Sequence, residues 1–207
     1  MIRCRVLIWV GLACGTACAQ VHTGVRAPDT AIRFREVLIA HGVADQAIRD
    51  TLIRIMQSGS VPDTSVMSRQ NLGDVRRASW LSSQVAEHGW PKESVVGTEA
   101  AEAAFLIVQH AVHDTMFQAR MLVLVTEAAR TKEASPQSVA LLTDRLMVRR
   151  GQPQRYGTQA SLREGRIVLD PIADSINVDV RRAQIGLPPL QEYLRKLESV
   201  YAPKPIP

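Results

Sequence analysis

Apolar residues recur at helical spacing along most of this chain, and the breaks between stretches fall at glycine, proline and capping residues. From Asp29 the stripe Ile32, Val37 and Leu38 predicts a helix that stops near Gly42. Ile48, Leu52, Ile55 and Met56 predict a second, ending at Ser58-Gly59. Val61 to His88 reads as helical with an interruption at Gly73. Gly89-Trp90-Pro91 closes it, since proline cannot continue a helix and restricts the residue before it, and Trp90 reads as a core anchor behind that turn. Thr98 is placed to cap the next helix. No glycine or proline then follows until Pro136, a stretch longer than an average helix, so a break is expected at His113-Asp114-Thr115 with Asp114 as N-cap. Ser135-Pro136 opens a further helix that ends at Gly151. Leu162 and Ile167-Val168-Leu169, with Arg163-Glu164-Gly165 between them, predict a β-hairpin, followed by short helices over 178–185 and 190–200. The fold class is mainly α: one mostly helical domain over 29–201 with a small β-hairpin near residues 156–170, a flexible arm over 20–28 and an extended tail over 202–207. There is no internal repeat and no low-complexity segment.

The first nineteen residues follow a different pattern. Arg3 and Arg5 precede the uncharged apolar run Val6 to Ala13, and Ala17-Cys18-Ala19 supplies small residues before Gln20. Basic, apolar, small is the order of a secretory signal peptide, and the run is too short to anchor in a bilayer. The expectation is a signal peptide over 1–19 and a periplasmic or secreted mature chain without a transmembrane segment. The rival is lipoprotein anchoring through Cys18 or Cys14, although Gly15-Thr16-Ala17 lacks the usual leading aliphatic residue. Cys4, Cys14 and Cys18 all fall in this segment, so a mature chain has no disulfide and no thiol nucleophile. The formal charge of +5, less the two leader arginines, leaves +3, with acids and bases interspersed. No nucleic-acid partner is expected from that.

Three places carry candidate chemistry. Gln109-His110-Ala111-Val112-His113-Asp114 holds two histidines three apart, which can share a helix face; it also reads as a solvated polar stripe with Glu99 and Glu102. Without a third ligand at coordination distance, no metal is expected. Asp144 lies on a helix that is apolar nearly all round, among Ala140, Leu141, Met147 and Val148, so it needs a buried partner. Arg145, Arg181 and Arg182 are the candidates for an ion pair. Gly151 to Gln159 gathers Gln154, Tyr156, Thr158 and Gln159 into one loop, a set suited to a neutral polar ligand or to satisfying the loop's own backbone.

Gly89-Trp90-Pro91, Gln109-His110-Ala111, Leu142-Thr143-Asp144-Arg145, Gln154-Arg155-Tyr156-Gly157-Thr158-Gln159, Pro171-Ile172-Ala173-Asp174 and Arg181-Arg182 together resemble a bacterial domain-of-unknown-function family, over roughly Asn71 to Tyr193. The resemblance implies a helical domain with these motifs at its heart, groups His110, Asp144, Arg145, Gln154, Tyr156 and Gln159 as one candidate site, and brings no activity. Phosphate loops, Gly-x-Gly-x-x-Gly, Gly-x-Ser-x-Gly and His-Glu-x-x-His are absent from the sequence, so no cofactor is expected. Three functions remain open. The first is a binding or sensing module for a small polar ligand or an envelope partner, working through Gln154, Tyr156, Thr158 and Gln159. The second is a hydrolase or lyase with His110 as general base, Asp144 as its orienter and Arg145 stabilising an oxyanion. The third is an envelope interaction or inhibitor protein in which these residues brace the fold.

Overall fold

The longest element, α1 (Asp29–Gln57), runs unbroken through Gly42, where the hydrophobic pattern predicts a stop. The reason is tertiary. A Cβ on residue 42 would stand 2.8 Å from the Cβ of Ala103 on α4 (Thr98–His110). Glycine therefore lets the two helices approach closely, which offsets its cost of about 1 kcal/mol inside a helix. A second mid-helix glycine behaves alike: α2 (Thr64–His88) continues through Gly73, where a Cβ would lie 3.0 Å from both terminal nitrogens of Arg77. The missing side chain makes room for that guanidinium to lie along its own helix. Asp63 caps α2, accepting from the backbone N–H of Ser65 and Val66.

The computed structural model describes residues 29–163 and 166–201. The expected leader, arm and tail, and the turn residues Glu164 and Gly165, lie outside the described residues. A short helix, α3 (Glu93–Val96), precedes α4. Gly97, not the Thr98 side chain, stands at the α4 N-cap; the Thr98 hydroxyl instead donates to Glu93 Oε1 at 2.7 Å. The break before α5 (Thr115–Arg130) falls at Asp114, which accepts from the Phe117 N–H at 2.8 Å. Ser135 and Pro136 start α6 (Pro136–Arg149), with the Ser135 hydroxyl accepting from the Gln137 N–H. An antiparallel hairpin follows, β1 (Ala160–Arg163) with β2 (Arg166–Leu169), pairing Ala160 opposite Leu169. A 3-10 turn, α7 (Val178–Ala183) and α8 (Leu190–Tyr201) complete the described chain. The fold is mainly α with one small hairpin.

Two apolar clusters hold these elements. The larger joins α1, α2, α4, α5 and α6 through Leu38, Leu81, Ile107, Phe117 and Leu142, with Trp90 buried in it behind the Gly-Trp-Pro turn. The smaller seats α8 under the hairpin through Ala160, Tyr193, Leu197 and Tyr201, and reaches Ile53 and Met56 of α1. Among the described residues no helix is long and apolar enough to cross a membrane.

Candidate functional site

His110 is the last residue of α4 and is 6% exposed. Its Nδ1 lies 2.8 Å from Asp45 Oδ2, a carboxylate on the middle of α1 that is fully buried. One helical turn further, Arg49 Nε lies 3.2 Å from the same Asp45 oxygen and 2.8 Å from His110 Nδ1. Arg49 also clasps Asp74 on α2, at 2.9 and 3.1 Å to its two oxygens. Arg77, one turn on from Asp74, donates to Asp74 at 2.7 Å and pairs with Asp45 at 3.3 Å. Two carboxylates and two guanidiniums thus alternate in one network that reaches the imidazole through Asp45 and Arg49, drawn from α1 and α2 by i,i+4 and i,i+3 spacing.

The charges decide the protonation of the ring. Burial, and after it the Arg49 guanidinium, push the His110 pKa down to about 4, against the pull of Asp45. The imidazole is therefore neutral at neutral pH. Nδ1 meets two partners: it accepts from Arg49 Nε–H at 2.8 Å in the tautomer protonated on Nε2, and donates to Asp45 Oδ2 at 2.8 Å in the tautomer protonated on Nδ1. Burial pushes the Asp45 carboxyl up, but its hydrogen bond with His110 and the charges of Arg49 and Arg77 outweigh it and leave Asp45 below its usual value.

This network forms the polar end of a cavity of about 360 Å³. Arg49, Asp74, His110 and Arg145 line that end, with Gln46, Gln70 and Asn71 beside them. Leu52, Ile53, Met56, Met67, Leu162 and Tyr201 are among the apolar residues lining the remainder. Ligand cavities in proteins commonly begin at roughly 300 Å³.

Residues 33–205 match the family of unknown function DUF6624. The chain belongs to that family. No curated protein and no solved structure matches it.

Within this DUF6624 domain the residues singled out by sequence divide into two groups. His110 and Arg145 both line the cavity. Asp144, adjacent to Arg145 on α6, faces another way: its carboxylate accepts from the backbone N–H of Arg155, Tyr156 and Thr158 and from the Thr158 hydroxyl, at 2.7 to 3.1 Å. The carboxylate orienting His110 is Asp45, not Asp144, and the buried partners of Asp144 are backbone amides rather than an arginine. The 155–158 loop turns these N–H groups onto the carboxylate. Arg181 and Arg182 serve the same loop from outside, donating to the carbonyls of Arg155 and Tyr156.

The side chains proposed for a ligand on this loop are engaged by the protein itself. The Gln154 amide donates to the Gln159 and Asp170 carbonyls and accepts from the Gln159 N–H; Gln154, Thr158 and Gln159 are all at most 1% exposed. Tyr156 is half-buried and lines a separate depression with Thr126, Pro136 and Ile185. Gln159 connects the two groups, accepting from Arg145 Nε at 3.2 Å while donating to Thr158 Oγ1 at 3.0 Å. His113 is exposed. Asp45, Arg49, Asp74 and Arg77 are the residues that sequence reasoning passed over. Their signal was opposite charges at helical spacing, Asp45 with Arg49 and Asp74 with Arg77, the second pair beside a mid-helix glycine.

Proposed function

We propose that this protein binds a small amphipathic molecule in the cavity between α1, α2, α6, β1 and α8. The observation that carries the reading is the division of the cavity lining: a hydrogen-bonding end built from Arg49, Asp74, His110 and Arg145, and apolar walls from Leu52, Ile53, Met56, Met67 and Leu162. Apolar walls provide affinity by excluding water, and a few convergent polar groups orient the occupant. At about 360 Å³ the cavity is of a size that takes a small molecule. Octanol and octanoate are apt probes. Calorimetry should show one of them binding at one site, and Leu162→Trp, which fills the wall from a strand position that suits tryptophan, should abolish the heat. No binding by either probe, or binding that Leu162→Trp leaves unchanged, sinks the reading.

A second reading, hydrolysis, is supported by the Asp45–His110 pair at 2.8 Å. In the tautomer protonated on Nδ1 the neutral imidazole would take a proton from water, and Arg145 on the same lining would stabilise an oxyanion. Turnover of p-nitrophenyl octanoate that disappears in His110→Gln would support it; absence of turnover by the folded wild type removes it.

The site of action we propose is the bacterial periplasm or the exterior, supported by the leader pattern from Arg3 to Ala19. Mature protein beginning at Gln20 is the expected mass. A diacylglyceryl adduct on Cys18 would move the protein to a lipid anchor, and full-length cytosolic protein would remove the export reading.

A further inference from the structure

Arg49, Asp74 and Arg145 line the polar end of the cavity with Asp45 and Arg77 behind them, and four of these five charged side chains neutralise one another. Asp45 and Asp74 are each held by both Arg49 and Arg77, so these two acids and two bases form a closed set. Arg145 is the fifth, and its surroundings differ. It is 1% exposed, yet its hydrogen bonds go to neutral acceptors, the Gln159 side-chain oxygen and the Gln109 carbonyl. The guanidiniums near enough to act on it are Arg49 and Arg149, both of its own sign. Its Nη2 is buried without a hydrogen-bond partner among the described residues. Burial lowers the Arg145 pKa only to about 9, so the group keeps its charge at neutral pH.

A buried cation without a counter-charge is costly, and arginine cannot escape the cost by releasing its proton near neutrality. The cavity that Arg145 lines is where a counter-charge has access. Asp74 lines it too, but both of its oxygens already accept from Arg49, so it does not set the sign there.

Resting on the reading of the cavity as a binding site, we propose that its occupant is a monoanionic amphiphile, an aliphatic carboxylate whose head is held by Arg145 Nη2 and whose chain lies against Leu52, Ile53, Met56, Met67 and Leu162. One unmatched positive charge and one free guanidinium nitrogen suit a singly charged head better than a phosphate dianion, which takes more donors. The short aliphatic walls suit an unbranched chain.

Calorimetry at neutral pH with three probes of equal chain length, octanoate, octanol and octylammonium, tests the head group directly. Octanoate should bind roughly tenfold to hundredfold more tightly than octanol, the range of a hydrogen bond to a charged group, and octylammonium should not bind. Arg145→Gln should remove the octanoate advantage over octanol. Should Arg145→Gln fail to fold, the three-probe comparison on the wild type carries the test alone. Octanol binding as tightly as octanoate, with Leu162→Trp still abolishing both, would overturn the anion assignment and leave the cavity reading standing. Tighter octylammonium would overturn it as well. Loss of every probe, or indifference to Leu162→Trp, would bring down the cavity reading and this inference together.

Discussion

Asp45 and Asp144 are both fully buried carboxylates in helices of the same domain, and they are buried for opposite purposes. Asp144 meets three backbone N–H groups and one hydroxyl of a single loop, all within fourteen residues of it in sequence. Burial raises its pKa, with those four donors pulling the other way. Asp45 meets side chains from three helices, two of them charged and one a histidine 65 residues away, and they hold its pKa down. A backbone-satisfied carboxylate shapes a loop. A carboxylate satisfied by titratable side chains at a cavity sets their charge, which a structural role does not require.

The sharpest way to break this contrast is to remove Asp144. Asp144→Ala strands three backbone donors and a hydroxyl, each costing about 1–3 kcal/mol when buried unsatisfied, with some relief as the loop relaxes. A loss of about 4 kcal/mol in urea unfolding is expected. Asp144→Asn keeps one acceptor oxygen and turns an amide N–H toward donors, so it should cost about half as much. Midpoints that do not move would mean the loop does not depend on Asp144.

The Asp45 side has a different signature, in pH. The folded-state pKa of His110 lies at about 4, below its unfolded value near 6.5. Between these values the unfolded chain binds the proton more readily, so stability is full above about pH 6.5 and is lost as pH falls toward 4. The shift corresponds to roughly 3 kcal/mol across the window. His41, lowered by burial and by Arg77, adds to the same slope. The decisive measurement is therefore the difference between wild type and His110→Gln, whose curve should be flatter. Equal slopes would leave His110 as inert as the Asp144 loop.

Gly157 tests the loop without touching its polar groups. Its φ of +69° is left-handed, and a Cβ there would stand 2.8 Å from Leu190 Cδ1 and 3.0 Å from Ile172 Cδ1. Gly157→Ala should cost about 2 kcal/mol from strain and displaced side chains while octanoate binding stays unchanged. A binding loss larger than the stability loss would show that the loop shapes the cavity.

The same division explains what could be read in the sequence. Asp114, Ser135-Pro136 and the hairpin were legible because caps and turns are local chemistry. Gly42 and Gly73 were not, since whether a glycine ends a helix or admits a neighbour depends on Ala103 and on the Arg77 side chain. Asp144 was recognisable as buried from its apolar helix, but its partners come from a loop whose course the pattern does not encode. Asp45 and Asp74 read as ordinary helix charges. Their burial follows from how α1, α2 and α4 meet, which the periodicity of each helix alone does not contain.

The smallest effect probes the join between the two regions. Thr158 Oγ1 donates to Asp144 and accepts from Gln159 Nε2, and Gln159 Oε1 accepts from Arg145 Nε. Thr158→Val keeps the shape and removes both hydroxyl bonds. Asp144 retains its three backbone donors, so the expected cost is about 1.5 kcal/mol for the two buried hydrogen bonds together. If the regions are independent, octanoate affinity should stay within about twofold, because Gln159 remains anchored through its backbone N–H on Gln154 and its carbonyl. A double-mutant cycle with Asp144→Asn should show coupling of about 0.5–1 kcal/mol in stability, as expected for direct contact. Arg145→Lys with Thr158→Val addresses the other direction. Additive effects on octanoate affinity keep the loop and the cavity separate; a coupling of comparable size in binding would show that the carboxylate holding the loop also positions the arginine at the cavity, through Thr158 and Gln159.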